Sequence, residues 1–280
     1  MTLPDGFGLF VREDVRDTVR ERQFHLLVGI YVLLALLVTY TASQSASAMG
    51  DEAPGLAPTL IAPFAMVTPL FALGFFASVL VEKRTGGALT VLLGLPVSRG
   101  TVVLGTAFGR SLVLCTAVLG SLALAVPVGL GLGMTVDPVR YLTVALVVSL
   151  LGATFTALAV AISAIVRTTT RATVAAFGVF VIFFFQLWAS LPRAVLYVRH
   201  GFSLPETTPE WVDAVAALNP VAAYTHLITG PYPELGGGTF VRPPSDPAVY
   251  ERPAFALAVL VGWIVVSVAV GYWRFRATDL

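Results

Sequence analysis

Charge is what this chain has least of, and its scarcity excludes most soluble readings. Asp, Glu, Lys and Arg make up 12% of the 280 residues, against 57% apolar, where an ordinary soluble domain is about a quarter charged. The formal net charge is +1, so no basic face is dense enough to neutralise a phosphate backbone, and no nucleic acid partner is expected. A single cysteine, Cys115, lies in an apolar run. Within these residues no disulfide forms, and the redox compartment stays open. Residues 1–23 carry mixed charge with no short apolar segment and cleavage site ahead of them, so no signal peptide is expected.

Motifs for chemistry are missing too. There is no Gly-x4-Gly-Lys-Ser/Thr loop, whose backbone N–H groups and lysine would hold nucleotide phosphates. The only lysine, Lys83, stands in Glu-Lys-Arg-Thr with no strand before it. No cofactor is expected in this chain, and any ATP and magnesium belong on another polypeptide. Gly-x-Ser-x-Gly and His-Glu-x-x-His are absent, and His25, His200 and His226 fall in separate segments. The chain is therefore read as a non-enzyme without catalytic residues. Met49, Met66, Cys115, Met134 and His226 form no spaced cluster, so no metal site is expected.

What the chain does have is uninterrupted apolar length. Six runs, at 24–43, 58–81, 111–134, 141–166, 172–191 and 253–273, approach or exceed the ~20 residues that cross ~30 Å of hydrocarbon as a helix. The third continues a helix beginning near Thr101. No Asp, Glu, Lys or Arg falls inside these cores, which weakens an ion-coupled or proton-coupled carrier. With both termini inside, twelve of the seventeen Lys and Arg fall on the cytoplasmic side. The positive-inside rule then puts both termini in the cytoplasm and the protein in the cell membrane. The prediction is an all-α integral membrane protein of six transmembrane helices in one domain, 1–280. Pro63, Pro69 and Pro127 are candidate kinks. Phe177, Phe180, Phe183, Phe184, Phe185 and Trp188 crowd the fifth span and suit lipid or a helix interface equally.

Three further segments do not span. Over 7–22, Phe7, Phe10, Val11, Val15 and Val19 share a helical stripe, which predicts an amphipathic helix in the inner headgroup region; an ordinary surface helix is the plainer alternative. Residues 82–100 read Glu-Lys-Arg-Thr-Gly-Gly-Ala-Leu-Thr-Val-Leu-Leu-Gly-Leu-Pro-Val-Ser-Arg-Gly. Gly86 and Gly87 allow a turn, and Gly94 with Pro96 stop a brief apolar helix. That knob needs a protein partner or the lipid surface to cover it. The third is a proline-rich outer loop, 192–252, with one short helix over 209–218 ending before Asn219-Pro220. Its length points to a binding or covering role.

The stretch Glu82-Lys83-Arg84-x-Gly86-Gly87-x-Leu89-x-x-Leu92-Leu93-x-x-Pro96-Val97-Ser98-Arg99 resembles the one after the second span in permeases of the ABC-2 exporter superfamily. The amphipathic start, six spans, long last outer loop and Trp273-Arg274-Phe275-Arg276 end are similar as well. Within the superfamily, Leu218-Asn219-Pro220 followed by Tyr224 and Leu227 is similar to a stretch in permeases of the nitrous oxide reductase maturation system. The resemblance implies a second permease copy, as a homodimer, bound to cytoplasmic ATPase subunits. The 82–100 segment would be a coupling helix, with Leu89, Leu92 and Leu93 in apolar contact and Glu82, Arg84 and Arg99 fixing its orientation beside Gly86, Gly87 and Pro96. It also implies an outer partner in copper-centre assembly, docked near Trp211, Asn219, Pro220 and Tyr224. The function expected is ATP-driven export or transmission of force. A stand-alone carrier or channel, and a membrane enzyme, are the alternatives.

Overall fold

The structure is a computed structural model that describes residues 6–49, 54–89, 98–203, 205, 207–238 and 248–277. Among them the chain is helical, with eleven α-helices. These are α1 (Phe7–Arg20), α2 (Arg22–Met49), α3 (Leu56–Phe76), α4 (Val79–Thr85), α5 (Arg99–Gly131) and α6 (Pro138–Ile165). Then come α7 (Thr169–Phe184), α8 (Leu187–Arg199), α9 (Glu210–Ala217), α10 (Pro220–Thr229) and α11 (Pro253–Arg276). Two 3-10 turns, Pro233–Gly238 and Val249–Glu251, link α10 to α11.

Five helices are long and apolar enough to cross a membrane: α2, α3 with α4 as Leu56–Thr85, α5, α6 and α11. A sixth is counted only if α7 and α8 are taken as one span, and those two are bent by 73°. The expected fifth span, 172–191, is thus a broken one. Gln186 sits at the break with φ 57, in the left-handed region. The expected outer loop also holds far more helix than anticipated. Its predicted short helix is there as α9, but α8 runs straight through Pro192 and α10 follows Asn219.

Helix α6 is the axis of the bundle, packed against α3, α5 and α11 and the most deeply buried of the spans. Lipid offers no solvophobic force to press helices together, so close approach depends on small residues. A Cβ on Gly152 of α6 would stand 3.0 Å from Leu114 and 3.1 Å from Thr68, and one on Gly271 of α11 would stand 3.1 Å from the Ala161 backbone. Helix α10 inserts among α3, α6 and α11, where Tyr224 is fully buried and its hydroxyl donates to the Ile61 carbonyl at 3.0 Å.

One end of the bundle gathers the chain's cationic anchors. Arg99 at the start of α5 donates to the Arg276 carbonyl at 3.0 Å, at the end of α11. Arg84 at the end of α4 donates to the Val166 carbonyl at 3.1 Å, where α6 stops. Helix α1 lies against α5 beside them. This is called the charged end below. The seat for α1 is cut by Gly105 and Gly109, one helical turn apart on α5: a Cβ at the first would collide with the Phe10 ring, and one at the second would meet Asp14 at 3.0 Å. Gly105→Leu is expected to destabilise the protein by about 1–3 kcal/mol through overpacking and to lift α1 from its seat. Thermal unfolding in detergent and tryptic cutting at Arg12 and Arg16 check this. Gly120→Leu, where a Cβ meets open space, serves as control and is expected to leave both unchanged.

Candidate functional site

The segment singled out by its sequence hangs between the end of α4 and the start of α5. Its near end starts at a break in the second span. Helix α3 stops at Phe76, and α4 begins at Val79 after a turn through Ala77 and Ser78. The break frees backbone N–H groups of the first α4 turn. Ser163 of α6 meets them, its Oγ accepting from Leu80 N at 2.8 Å and Val81 N at 3.2 Å. Ser78 Oγ donates to Glu82 Oε1 at 2.6 Å, which holds that exposed carboxylate over the first turn, where the helix dipole favours it.

Helix α4 ends as glycines dictate. Gly86 N bonds to the Glu82 carbonyl at 2.9 Å, and Gly87 takes φ +73, a left-handed conformation that a Cβ resists. Arg84 turns back onto the bundle, bonded to Val166 and stacked 5.7 Å from the Phe275 ring. At the far end Ser98 caps α5, its Oγ accepting from Thr101 N at 3.0 Å. Arg99 clamps the last carbonyls of α11, which carry the negative end of that helix's dipole.

These contacts show what three of the expected residues touch within the chain. Arg84 and Arg99 bond to this chain's own helix ends, so they orient the segment on the bundle. Leu89, expected in apolar contact with an ATPase, is 1% exposed and packs into an apolar cluster with Leu80, Val102, Val103, Val160 and Phe275. It anchors the segment from inside because a buried leucine there covers the ends of α4, α5, α6 and α11 together. Leu92, Leu93 and Pro96 lie outside the described residues.

Beside the segment sits an ion cluster that the sequence reading did not assemble. Asp14 of α1 is buried, its side chain 3% exposed. Its Oδ1 accepts from Lys83 Nζ of α4, and its Oδ2 stands 3.2 Å from Arg110 Nε of α5. The second pair is close but not aligned as a hydrogen bond, so its attraction is chiefly electrostatic. Arg110 also lies 3.9 Å from Glu21 and 5.9 Å from the Phe76 ring centre. Helix α5 begins at Arg99, so Arg110, buried with 5% exposure, lies inside a candidate span. The signal was present in α1: at 100° per residue, Phe7, Val11, Asp14 and Thr18 share one face, which puts the carboxylate in the middle of the apolar stripe.

At the opposite end, the residues expected to dock an outer partner are mostly internal. Asn219 is fully buried: its Oδ1 accepts from Val221 N at 2.8 Å, capping α10, and its Nδ2 donates to the Phe183 carbonyl at 2.9 Å. Pro220 is the first residue of α10, where a missing N–H costs nothing. Tyr224 is buried against Ile61. These three shape the fold and offer no surface to a partner. Trp211 of α9, 44% exposed, is the one of the four that does. Among the described residues no three His, Cys, Asp or Glu side chains are grouped to hold a metal.

A bundle of five or six apolar spans, with a short segment mounted between the second and third on the chain's own helix ends, is the build of a membrane transport subunit. The chain belongs to the ABC-2 transporter family: the model described as ABC-2 family transporter protein matches residues 10–280. It is an ABC transporter permease, embedded in the membrane by several passes, of a class that implies an ATPase partner. Two relatives carry the same printed name, "Probable ABC transporter permease protein NosY". The chain is 31% identical over 276 residues to the one from Stutzerimonas stutzeri and 28% identical over 277 residues to the one from Pseudomonas aeruginosa. Each comparison covers 95% of this chain and 96% of the relative.

Removing the shared carboxylate leaves Lys83 without its acidic partner and Arg110 with Glu21 alone, 3.9 Å away. Asp14→Ala is therefore expected to cost about 3 kcal/mol, discounted toward the lower end because Lys83 is 22% exposed. Thermal unfolding of the detergent-solubilised protein measures it. Asp14→Ala with Lys83→Met should recover part of the loss, and full additivity of the two changes would show that the pair carries no coupling. Asn219→Ala removes a cap and the donor to Phe183, with an expected loss of about 1–2 kcal/mol in the same assay.

Proposed function

We propose that this permease couples ATP hydrolysis on a separate ATPase subunit to export, or to mechanical transmission, across the membrane through the 82–100 segment. The observation that supports this best is the mounting of the segment. Arg84 fastens its near end to α6, Arg99 fastens its far end to α11, and Leu89 pins it from within. A push on the part between them therefore reaches α4, α5, α6 and α11 at once. Leu92 and Leu93 are assigned the apolar contact with the ATPase, and exposed Glu82 is assigned a part in fixing the orientation of the segment. Both termini are placed in the cytoplasm by the distribution of Lys and Arg. ATP and magnesium are assigned to the ATPase, and this chain is assigned no cofactor and no catalytic role.

The functional unit is proposed to be a homodimer of this permease with two ATPases. The resemblance to permeases of the nitrous oxide reductase maturation system favours service in copper-centre assembly, with an extracytoplasmic partner reached near exposed Trp211. The ATPase activity of the reconstituted complex tests the coupling. Leu93→Asp is expected to lower permease-stimulated hydrolysis at least tenfold and to weaken co-purification of the ATPase. Unchanged stimulation and assembly would overturn the docking role.

A further inference from the structure

We propose that α8 lies flat on the bilayer at the end of the bundle opposite the charged end, with the acyl chains of the surrounding phospholipid covering its exposed apolar stripe. Three independent observations lead there. The first is direction. Helix α7 starts just after Val166, at the charged end, and its 16 residues reach Phe184. At 1.5 Å per residue that is about 24 Å, most of the ~30 Å hydrocarbon thickness. The chain then turns by 73°, so a helix that follows an upright α7 runs nearly parallel to the membrane surface, close to the far boundary of the hydrocarbon.

The second is the arrangement of side chains around α8. At 100° per residue, Leu187, Leu191, Val195 and Val198 fall within one arc of about 80°. All four are exposed, between 45% and 63%. Pro192 and Leu196, the buried residues of this helix, fall next to that arc and face the chain itself. Arg199, in the last turn, falls between the arc and the buried residues, and Ser190, Arg193, Tyr197 and His200 fall on the remaining side, away from the apolar arc. All four are exposed. One face toward protein, one toward hydrocarbon and one toward water is the cross-section of an interfacial helix docked on the flank of a bundle. A water-exposed helix would have no use for the apolar arc, which in water is a liability.

The third is the recess beside α8. It has a volume of about 410 Å³ and is lined by Trp188, Leu218, Phe255, Val259, Trp263 and Val266, most of them on α11. Its only polar side-chain groups are two indole N–H groups, and both are already committed, Trp188 to the Val215 carbonyl and Trp263 to the Leu218 carbonyl, each at 2.8 Å. An alkyl chain is the occupant whose chemistry this matches, since nothing polar is left to pair. Arg193 and Arg199 add cations at the level where lipid phosphates lie.

Nitroxide labels in the full protein, reconstituted in phosphatidylcholine–phosphatidylglycerol vesicles, test this without reference to any ATPase. Leu191→Cys, Val195→Cys, Arg193→Cys and His200→Cys are made singly on a Cys115→Ser background, and collisions with oxygen and with a water-soluble nickel chelate are compared. Labels at 191 and 195 are expected to meet oxygen several-fold more than nickel, and those at 193 and 200 the reverse. Nickel access at 191 and 195 would overturn the proposal by placing the arc in water. Shielding from both reagents would overturn it by showing that another protein surface, such as a second copy, covers the arc.

Discussion

Hydrocarbon offers no hydrogen bonds, so every polar backbone group that this bundle frees must be answered from inside the chain. The structure meets that demand at several places where a helix stops or breaks. Ser163 answers the N–H groups freed between α3 and α4. Asn219 answers both the first turn of α10 and the Phe183 carbonyl left open at the α7–α8 bend. Arg84 and Arg99 take the terminal carbonyls of α6 and α11. At these breaks the donor or acceptor arrives from a distant part of the sequence. Each such pair also fixes one element against another, and the segment between α4 and α5 inherits its placement from them.

The ion cluster solves a different problem. Neutral groups would suffice to satisfy helix ends, yet Asp14, Lys83 and Arg110 bury charge at the junction of α1, α4 and α5. Such a cluster is weak as a source of net stability, because desolvation offsets much of the attraction. Its physical effect is on registry. A carboxylate with two cationic partners tolerates only one placement of α1, and moving any of the three helices alone exposes unpaired charge to apolar surroundings. Helices α1, α4 and α5 are therefore held as one unit, with Glu21 drawing Arg110 toward the start of α2.

The spans were legible from composition because a run of ~20 apolar residues has few other uses. Their interruptions were not. Nothing in Phe184-Phe185-Gln186-Leu187 announces a 73° bend, which depends on Asn219 reaching Phe183 from 36 residues away. Asn219-Pro220 was visible, but the same pair of residues serves as a recognition stretch or as a helix cap, and only burial separates the two. The outer loop was expected to begin at Pro192, which lies within α8. Leu89 was expected in apolar contact with a partner, and in this chain it is covered by the ends of its own helices, since an apolar residue type says nothing of what covers it. Asp14 is the opposite case. Its position in the middle of an apolar stripe was readable, and the missing step was to ask which cations would meet it.

The two ends of the bundle are built on different principles, and the second span, α3 followed by α4, joins them. At the charged end, ion pairs and carbonyl clamps set the positions of α1, α4, α5 and α11. At the other end, the insertion of α10 and a group of aromatic rings, Phe183, Trp188 and Trp263, with centroids 5.2–6.0 Å apart, set them. The span Leu56–Thr85 connects the two over 30 residues, about 45 Å at 1.5 Å per residue. It carries Lys83 and Arg84 at one end and offers the Ile61 carbonyl to Tyr224 at the other. Helix α10 in turn is capped by Asn219, which holds the α7–α8 bend. A displacement of α4 thus has a physical route to the far end through the turn at Ala77 and Ser78, helix α3 and two buried hydrogen bonds, with that turn, Pro63 and Pro69 as the points along it where the helix can bend. Under the proposed function, the motion that an ATPase imposes at the segment would be delivered where α8 meets the lipid.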